Sequence, residues 1–150
     1  MHKPLTNPPA ELRYDHVSLD FVRIIAGEPE RGHVPYYHFR IKAPDGADVG
    51  HINFRVGDTE HVLHFAGHVG YQIAPPFRGH GYALQACRAL APFIRTFYDA
   101  VILTCDPDNI PSIRTIEKLG ATFLEEIAVS EREPAYRRGA RTKRRYAWKP

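Results

Sequence analysis

A glycine-rich turn between a predicted strand and a predicted helix constrains this chain more than any other feature. The turn occupies residues 78–83 and reads Arg-Gly-His-Gly-Tyr-Ala. Before it, an alternating apolar run over 69–73 predicts a strand, and the two prolines that follow cannot donate ladder hydrogen bonds. From Ala83 to Ile94 the apolar residues recur at helical spacing. The chain must therefore turn sharply here, from the end of a strand into a helix.

A turn of this kind is suited to binding an anion. Gly79 and Gly81 allow backbone conformations that other residues rarely adopt, and they let a ligand approach the main chain closely. The first N–H groups of the helix have no acceptor within the helix, and the positive end of the helix dipole lies beside them. Arg78 adds a full positive charge. We therefore predict a phosphate site at this turn.

Periodicity and turn residues predict one domain over residues 1–150, with a loosely held lead-in over 1–14. Seven strands are expected at 17–25, 34–43, 49–56, 61–73, 100–105, 123–129 and 143–148, and two main helices at 83–97 and from an Asp108 or Asn109 cap to Gly120. Short turns join the first four strands, so these pair antiparallel. The crossover through the first helix makes the fourth and fifth strands parallel. The expected fold class is α+β, with a mixed but mostly antiparallel sheet.

Composition limits the compartment and the partners. No run of the sequence approaches the ~20 apolar residues of a membrane span, so no membrane partner is expected. Residues 1–10 are rich in proline and lack the apolar stretch of a secretory signal. Cys87 and Cys105 lie inside predicted elements and form no CxxC motif, which indicates reduced, buried thiols and no cysteine metal site. These features predict a cytoplasmic protein.

Basic residues are concentrated at the end of the chain. The formal net charge is +3, but residues 134–150 carry seven basic and no acidic side chains. The rest of the chain therefore has a net charge of −4. Such a segment either attracts nucleic acid or another anion, or is a solvated strand and loop. We favour the second interpretation, because no aromatic-interleaved binding motif accompanies the charges.

Two motifs in the chain resemble those of the GCN5-related N-acetyltransferase (GNAT) superfamily. Residues 78–83 match its R/Q-x-x-G-x-G/A signature, in the same place between a strand and a helix. Asn109 opens the helix after the fifth strand and a Lys-Leu-Gly run at 118–120 closes it, which resembles the second motif of the family. The resemblance covers residues 48–129 and, in outline, the final hairpin.

The resemblance implies an acetyltransferase that uses acetyl-coenzyme A. The fourth and fifth strands would splay apart to admit the pantetheine arm of the donor, and a backbone N–H of the fourth strand would polarise the thioester carbonyl. The acceptor would be a primary amine of a small molecule or a peptide. The donor-binding residues implied are Ile73, Ala74, Arg78, Gly79, His80, Gly81, Tyr82, Ala83 and Asn109. No metal is expected, because no pair of histidines on a helix has the i,i+4 spacing of a metal site.

The chain departs from the family at the titrating groups. Many members have a tyrosine as general acid seven residues after the motif asparagine, and some have a glutamate as base five residues before it. This chain has Ile116 and Thr104 at those positions. A donor-binding but catalytically silent module is therefore one alternative function, and a nucleic-acid-associated protein that uses the basic C-terminal hairpin is another, ranked last.

A histidine is the candidate substitute for the missing base, because it titrates near neutral pH. His51, His64 and His68 are predicted to share one polar face of the sheet. His68 lies closest along its strand to the expected donor gap and is the candidate catalytic residue. For each histidine the alternative is a solvent-facing stripe without a catalytic role. Tyr98 and Cys105 are weaker candidates that are better explained as core residues.

A second departure concerns the acceptor side. Members of the family usually place one or two helices between the first and second strands, but the link here is only residues 26–33. It cannot hold those helices. The polar face of the sheet is therefore open to solvent, to a larger acceptor or to the second subunit of a homodimer. The loop over 131–142 is the candidate to supply the missing wall.

Overall fold

The computed structural model describes residues 4–150 and folds them into eight strands with three α-helices. The strands are β1 (Leu12–Tyr14), β2 (Val17–Ile25), β3 (Tyr36–Lys42), β4 (Asp48–Arg55), β5 (Val69–Ile73), β6 (Val101–Cys105), β7 (Thr122–Ala128) and β8 (Thr142–Trp148). The helices are α1 (Tyr82–Ile94), α2 (Ile110–Lys118) and the short α3 (Pro134–Arg137). A π-helical turn covers His61–Ala66, and 3-10 turns cover Pro29–Arg31 and Pro75–Phe77.

The strands form two antiparallel sheets. One contains β1 to β5 in chain order, and the other has the order β6-β8-β7. Among the described residues, β5 and β6 share no ladder, although the backbone N–H of His68 donates to the carbonyl of Ile102 at 2.8 Å. The α+β class and the mostly antiparallel pairing are confirmed. The single sheet is not found, and the parallel arrangement of β5 and β6 stays a prediction.

Two local predictions are wrong. The first half of the strand expected over 61–73 is the π-helical turn, in which the buried residues Val62 and Phe65 are three positions apart, a spacing that suits a helical turn and not a strand. In the lead-in, residues 1–3 lie outside the described residues, and residues 12–14 form β1, which pairs with β2 and buries Leu12. The link between β2 and β3 holds only the 3-10 turn at Pro29–Arg31, as its length predicts.

Helix α1 packs its apolar face against the five-stranded sheet and forms the core with it. The ring of Phe93 meets that of Tyr37 at 4.8 Å and that of Phe54 at 5.8 Å, both edge to face. Such aromatic pairs contribute about 0.5–1.5 kcal/mol each beyond their burial. The helix ends at Ile94, three residues earlier than predicted, and tighter i→i−3 bonds carry the chain on to Phe97. This packing holds the first turn of α1 beside the end of β5.

None of the helices in residues 4–150 is long and apolar enough to cross a membrane.

Candidate active site

A cavity of about 1140 Å³ lies where β5, the first turns of α1 and α2, and β6 approach one another. Its volume is slightly above the range of about 300–1,000 Å³ that is usual for small-molecule and cofactor sites. Phe77, Arg78, Gly79 and Gly81 form one end, and four residues of the segment 133–138 form part of another wall. The segment that the sequence offered as the missing wall therefore does line the cavity.

The free edge of β5 faces this cavity. Two backbone hydrogen bonds, from Arg55 N to His68 O at 2.7 Å and from Ala74 N to Val49 O at 2.9 Å, define which residues of β5 point toward β4. By the alternation of an antiparallel ladder, the N–H groups of Tyr71 and Ile73 point the other way. Ala74 and Ile73 were the two predicted donors to the thioester carbonyl. The N–H of Ala74 already donates to Val49, so only the N–H of Ile73 is free to bind a ligand.

The glycine turn forms an open cradle at the end of β5. Gly79 and Gly81 have φ angles of 86° and 75°, and Gly81 is the N-cap of α1 without a side-chain cap. A Cβ atom built on either glycine would meet nothing within 4 Å. Arg78 donates from Nε to the carbonyl of Ile73 at 2.9 Å, which holds its side chain beside the cradle. The geometry fits a phosphate group on the first turn of the helix.

Asn109 is the N-cap of α2. The sequence had left Asp108 and Asn109 as the two candidates for this position. The Oδ1 of Asn109 accepts a hydrogen bond from the backbone N–H of Ser112 at 3.2 Å. The hydroxyl of Ser112 is in turn 2.9 Å from that of Tyr71 on β5. Burial raises the pKa of Tyr71, so this phenol stays protonated at neutral pH. These bonds tie the start of α2 to β5 across the cavity.

The wall of the cavity is predominantly basic. Two of its charges are acidic, on Asp106 and Glu133, and Asp106 is paired with Lys143 at 2.7 Å. The basic side chains on the wall are Arg55, Arg78, Arg114, Lys118, Arg138 and Lys143. A surplus of positive charge around a concave site attracts an anionic ligand.

Most of the predicted donor-binding residues come together on this cavity. Those that line it are Ile73, Arg78, Gly79, Gly81, Tyr82, Ala83 and Asn109. Ala74 and His80 are not part of the lining. These residues could be predicted because nearly all of them belong to one continuous stretch, the end of β5 with the glycine turn, and the remaining one is the cap of α2.

His68 has a different position from the one predicted. It is only 2% exposed, with Nε2 at 3.1 Å from Asp58 Oδ1 and Nδ1 accepting the backbone N–H of Ile102 at 2.9 Å. Burial lowers its pKa and Asp58 offsets part of that effect. The predicted face shared with His51 and His64 is wrong, because His64 lies in the π-helical turn. His68 has no free nitrogen toward the cavity, and its role as the base stays a prediction without structural support.

The two positions at which the resemblance would place a general acid and a general base hold residues that do not titrate. Ile116 is 1% exposed and belongs to the core, and the Thr104 hydroxyl donates to the carbonyl of Phe65 at 2.8 Å. Cys105 lines the cavity, but burial raises the pKa of its thiol to about 11, so it is protonated at neutral pH. Within residues 4–150 there is no group of three or more His, Cys, Asp or Glu side chains arranged to hold a metal ion.

One pair of titrating residues on the cavity was missed by the sequence reasoning. His61 and Glu133 both line it, and Nδ1 of His61 is 2.6 Å from Oε1 of Glu133. They are 72 positions apart in the chain. The only local signal was Glu133 before a proline, which is typical of a helix start.

Comparison with known proteins agrees with this architecture. A family model described as "Acetyltransferase (GNAT) domain" matches residues 6–122. The uncharacterized N-acetyltransferase YnaD of Bacillus subtilis (strain 168) is 34% identical over 74 residues, which are 48% of this chain and 41% of that protein. The chain thus matches less than half the length of this curated relative.

Solved structures show the same fold. An acetyltransferase (GNAT family) from Bacillus anthracis is 26% identical, with a TM-score of 0.57 over 73% of this chain and 64% of that one. The RimL ribosomal L7/L12 alpha-N-protein acetyltransferase is 19% identical, with a TM-score of 0.58 over 75% and 68% of the two chains. The microcin C7 self-immunity acetyltransferase MccE, solved with acetyl-CoA and AMP, is 18% identical, with a TM-score of 0.60 over 77% and 61%. The last two show the fold alone. Because the family model covers most of the sequence, the chain belongs to the GNAT acetyltransferase family.

Proposed function

We propose that this protein is a cytoplasmic N-acetyltransferase that moves the acetyl group of acetyl-coenzyme A to a primary amine. The observation that carries the proposal is the cavity itself. It combines the free edge of β5, the open glycine cradle and a basic wall in one place. Two neighbours in fold have been solved with acetyl-CoA or coenzyme A, which supports the same class of donor here.

The residues around the cavity fit a coenzyme A thioester. The N–H groups of 79–83 and the Arg78 guanidinium would bind its pyrophosphate. The free N–H groups of Tyr71 and Ile73 would bind the amide-containing arm, with Asn109 and Ser112 opposite them. The bound thioester supplies an activated acetyl group. The N–H of Ile73 is positioned to stabilise negative charge on its carbonyl oxygen.

The acceptor would enter from the other end of the cavity. His33, Tyr36, Arg55, His61 and the start of α3 line that end. We expect this end to admit a small molecule or the end of a peptide, because the link between β2 and β3 holds a short 3-10 turn and no α-helix. A second subunit as part of this wall stays a prediction.

Two measurements on the purified protein test the proposal. Acetyl-coenzyme A at 100 times its dissociation constant should add about 2.7 kcal/mol of stability, a rise in Tm of about 5–10 °C. AMP, which lacks the pantetheine arm, is the matched control and should give a much smaller rise. Coenzyme A thiol should then be released when primary amines are added: amino acids, spermidine and short peptides. No thermal shift at millimolar acetyl-coenzyme A would contradict the proposal.

A donor-binding but silent module is the second candidate function. Thr104 and Ile116 favour it, because neither side chain can transfer a proton at the positions that many family members use. Such a module would show the thermal shift without thiol release. Amine-dependent release by the wild-type protein would exclude it.

A further inference from the structure

The pair formed by His61 and Glu133 lies on the wall of the cavity. The side chain of His61 is 17% exposed and that of Glu133 is 12% exposed. The fold holds them together through the small apolar cluster of Phe65, Val129 and Ala135, which packs the π-helical turn against α3. The pair is therefore built into the structure and is not a chance contact between two flexible surface side chains.

The proton of this pair can be assigned. A carboxylate only accepts hydrogen bonds, so in the neutral imidazole Nδ1 carries the hydrogen and donates it to Oε1 of Glu133. The lone pair of His61 is then on Nε2. Within residues 4–150, Nε2 has no hydrogen-bond partner, and it is not among the enclosed polar atoms that lack one. His61 therefore has a free basic nitrogen, in contrast to His68.

The charges around His61 keep it able to accept a proton. Burial lowers its pKa, the Glu133 carboxylate opposes that shift, and His33 and Arg55 lower the pKa again. The ring of His33 is 4.4 Å away, and Arg55 projects from β4 onto the same wall. On β8, Arg145 is paired with Glu125 and donates to the carbonyl of Leu63. The net effect favours a neutral imidazole at pH 7.

We propose that His61 is the general base of the acetyl transfer and that Glu133 is its positioning residue. The inference rests on the proposed function. In the step, the amine nitrogen bonds to the acetyl carbonyl carbon and loses a proton to Nε2 of His61. The bond from that carbon to sulfur breaks, and the thiolate takes a proton from water. His61 then returns its proton to water, so the products are an amide and a free thiol.

The competing explanation is that the pair only fastens the π-helical turn to α3. Such a role would affect stability and not the proton transfer. The variants His61→Ala and Glu133→Gln separate the two, with His16→Gln as a control at an exposed histidine far from the cavity. The substrate is the amine of the panel that gives the fastest thiol release.

His61→Ala should lower kcat/KM by about 100-fold or more, the usual contribution of a general base. The affinity for acetyl-coenzyme A, measured by calorimetry, should stay within about twofold, because the donor contacts are elsewhere. Added imidazole should restore part of the lost rate in His61→Ala and should not change the rate of His16→Gln. A full rate in a folded His61→Ala variant would overturn the inference.

Glu133→Gln keeps a hydrogen-bond acceptor but removes the charge that favours imidazolium. The pKa of His61 should therefore fall, and the acid limb of kcat/KM, calculated for the unprotonated amine, should move to lower pH with it. NMR titration of the His61 ring in both proteins measures the pKa without using activity, and it decides the matter if His61→Ala does not fold. If the acid limb of kcat/KM does not move with the measured pKa of His61, His61 is not the base, but the proposed function still stands. Absence of thiol release by the wild type with every amine would reject the proposed function as well.

Discussion

His68 joins three parts of the fold through one buried ring. It bonds to Asp58 with one nitrogen, accepts the N–H of Ile102 with the other, and packs 4.7 Å from the ring of Tyr98. The sequence pattern could not predict this, because an alternating run does not distinguish a polar stripe from a buried polar link. The glycine cradle, in contrast, could be predicted, since its residues are contiguous. The pairing of His61 with Glu133 could not, because 72 positions separate them.

Replacing His68 should affect stability and leave the chemistry unchanged. His68→Ala removes the acceptor of the Ile102 N–H, and an unsatisfied buried donor costs about 1–3 kcal/mol. The free energy of unfolding in urea should fall by about that amount, whereas His16→Ala, at an exposed position, should have little effect. The acid limb of the pH–rate profile should stay where it is in the wild type. If His68→Ala is as stable as the wild type and loses that limb, His68 is the base.

At the scale of elements, the start of α1 and the end of β5 act as one unit. The end of β5 and the start of α1 were predicted to within one residue from apolar periodicity and from the glycines of the turn between them. The π-helical turn at His61–Ala66 was not predicted, since six residues are too few for a helical period to stand out from an alternating one.

The basic strand β8 makes contacts within the protein. Lys143 pairs with Asp106, Arg145 pairs with Glu125, and the guanidinium of Arg144 lies 4.2 Å from the centre of the ring of Phe123. These contacts engage three of the basic side chains within the protein, which argues against a nucleic-acid site on β8.

The first turn of α1 is tested by a matched pair of glycine variants. Gly81 and Gly46 have similar φ angles, 75° and 87°, and both have open space where a Cβ would be. Valine at either position should cost about 1–3 kcal/mol of backbone strain. Only Gly81→Val should also lose acetyl-coenzyme A, because its side chain occupies the place proposed for the pyrophosphate. We expect at least a tenfold rise in the dissociation constant by calorimetry for Gly81→Val and none for Gly46→Val. Equal affinities would mean that the donor does not use this turn.

For the whole molecule, the essential feature is the separation of its two antiparallel sheets. The α+β class followed from local patterns, but the division into two sheets did not, because strand order depends on contacts between distant segments. Near their starts β5 and β6 are linked by a backbone bond between His68 and Ile102, and farther along both strands line the cavity. A donor in that cavity would bind both sheets at once.

The most direct measurement is a titration of ¹⁵N-labelled protein with acetyl-coenzyme A, followed by amide NMR. The amides of Tyr71, Ile73 and residues 79–83 should shift and become protected from hydrogen exchange, because they are the groups proposed to bind acetyl-coenzyme A. The amide of Gly46, at a turn outside the cavity, should not change. Shifts confined to other surfaces, or none at millimolar ligand, would contradict the placement of the donor between the two sheets.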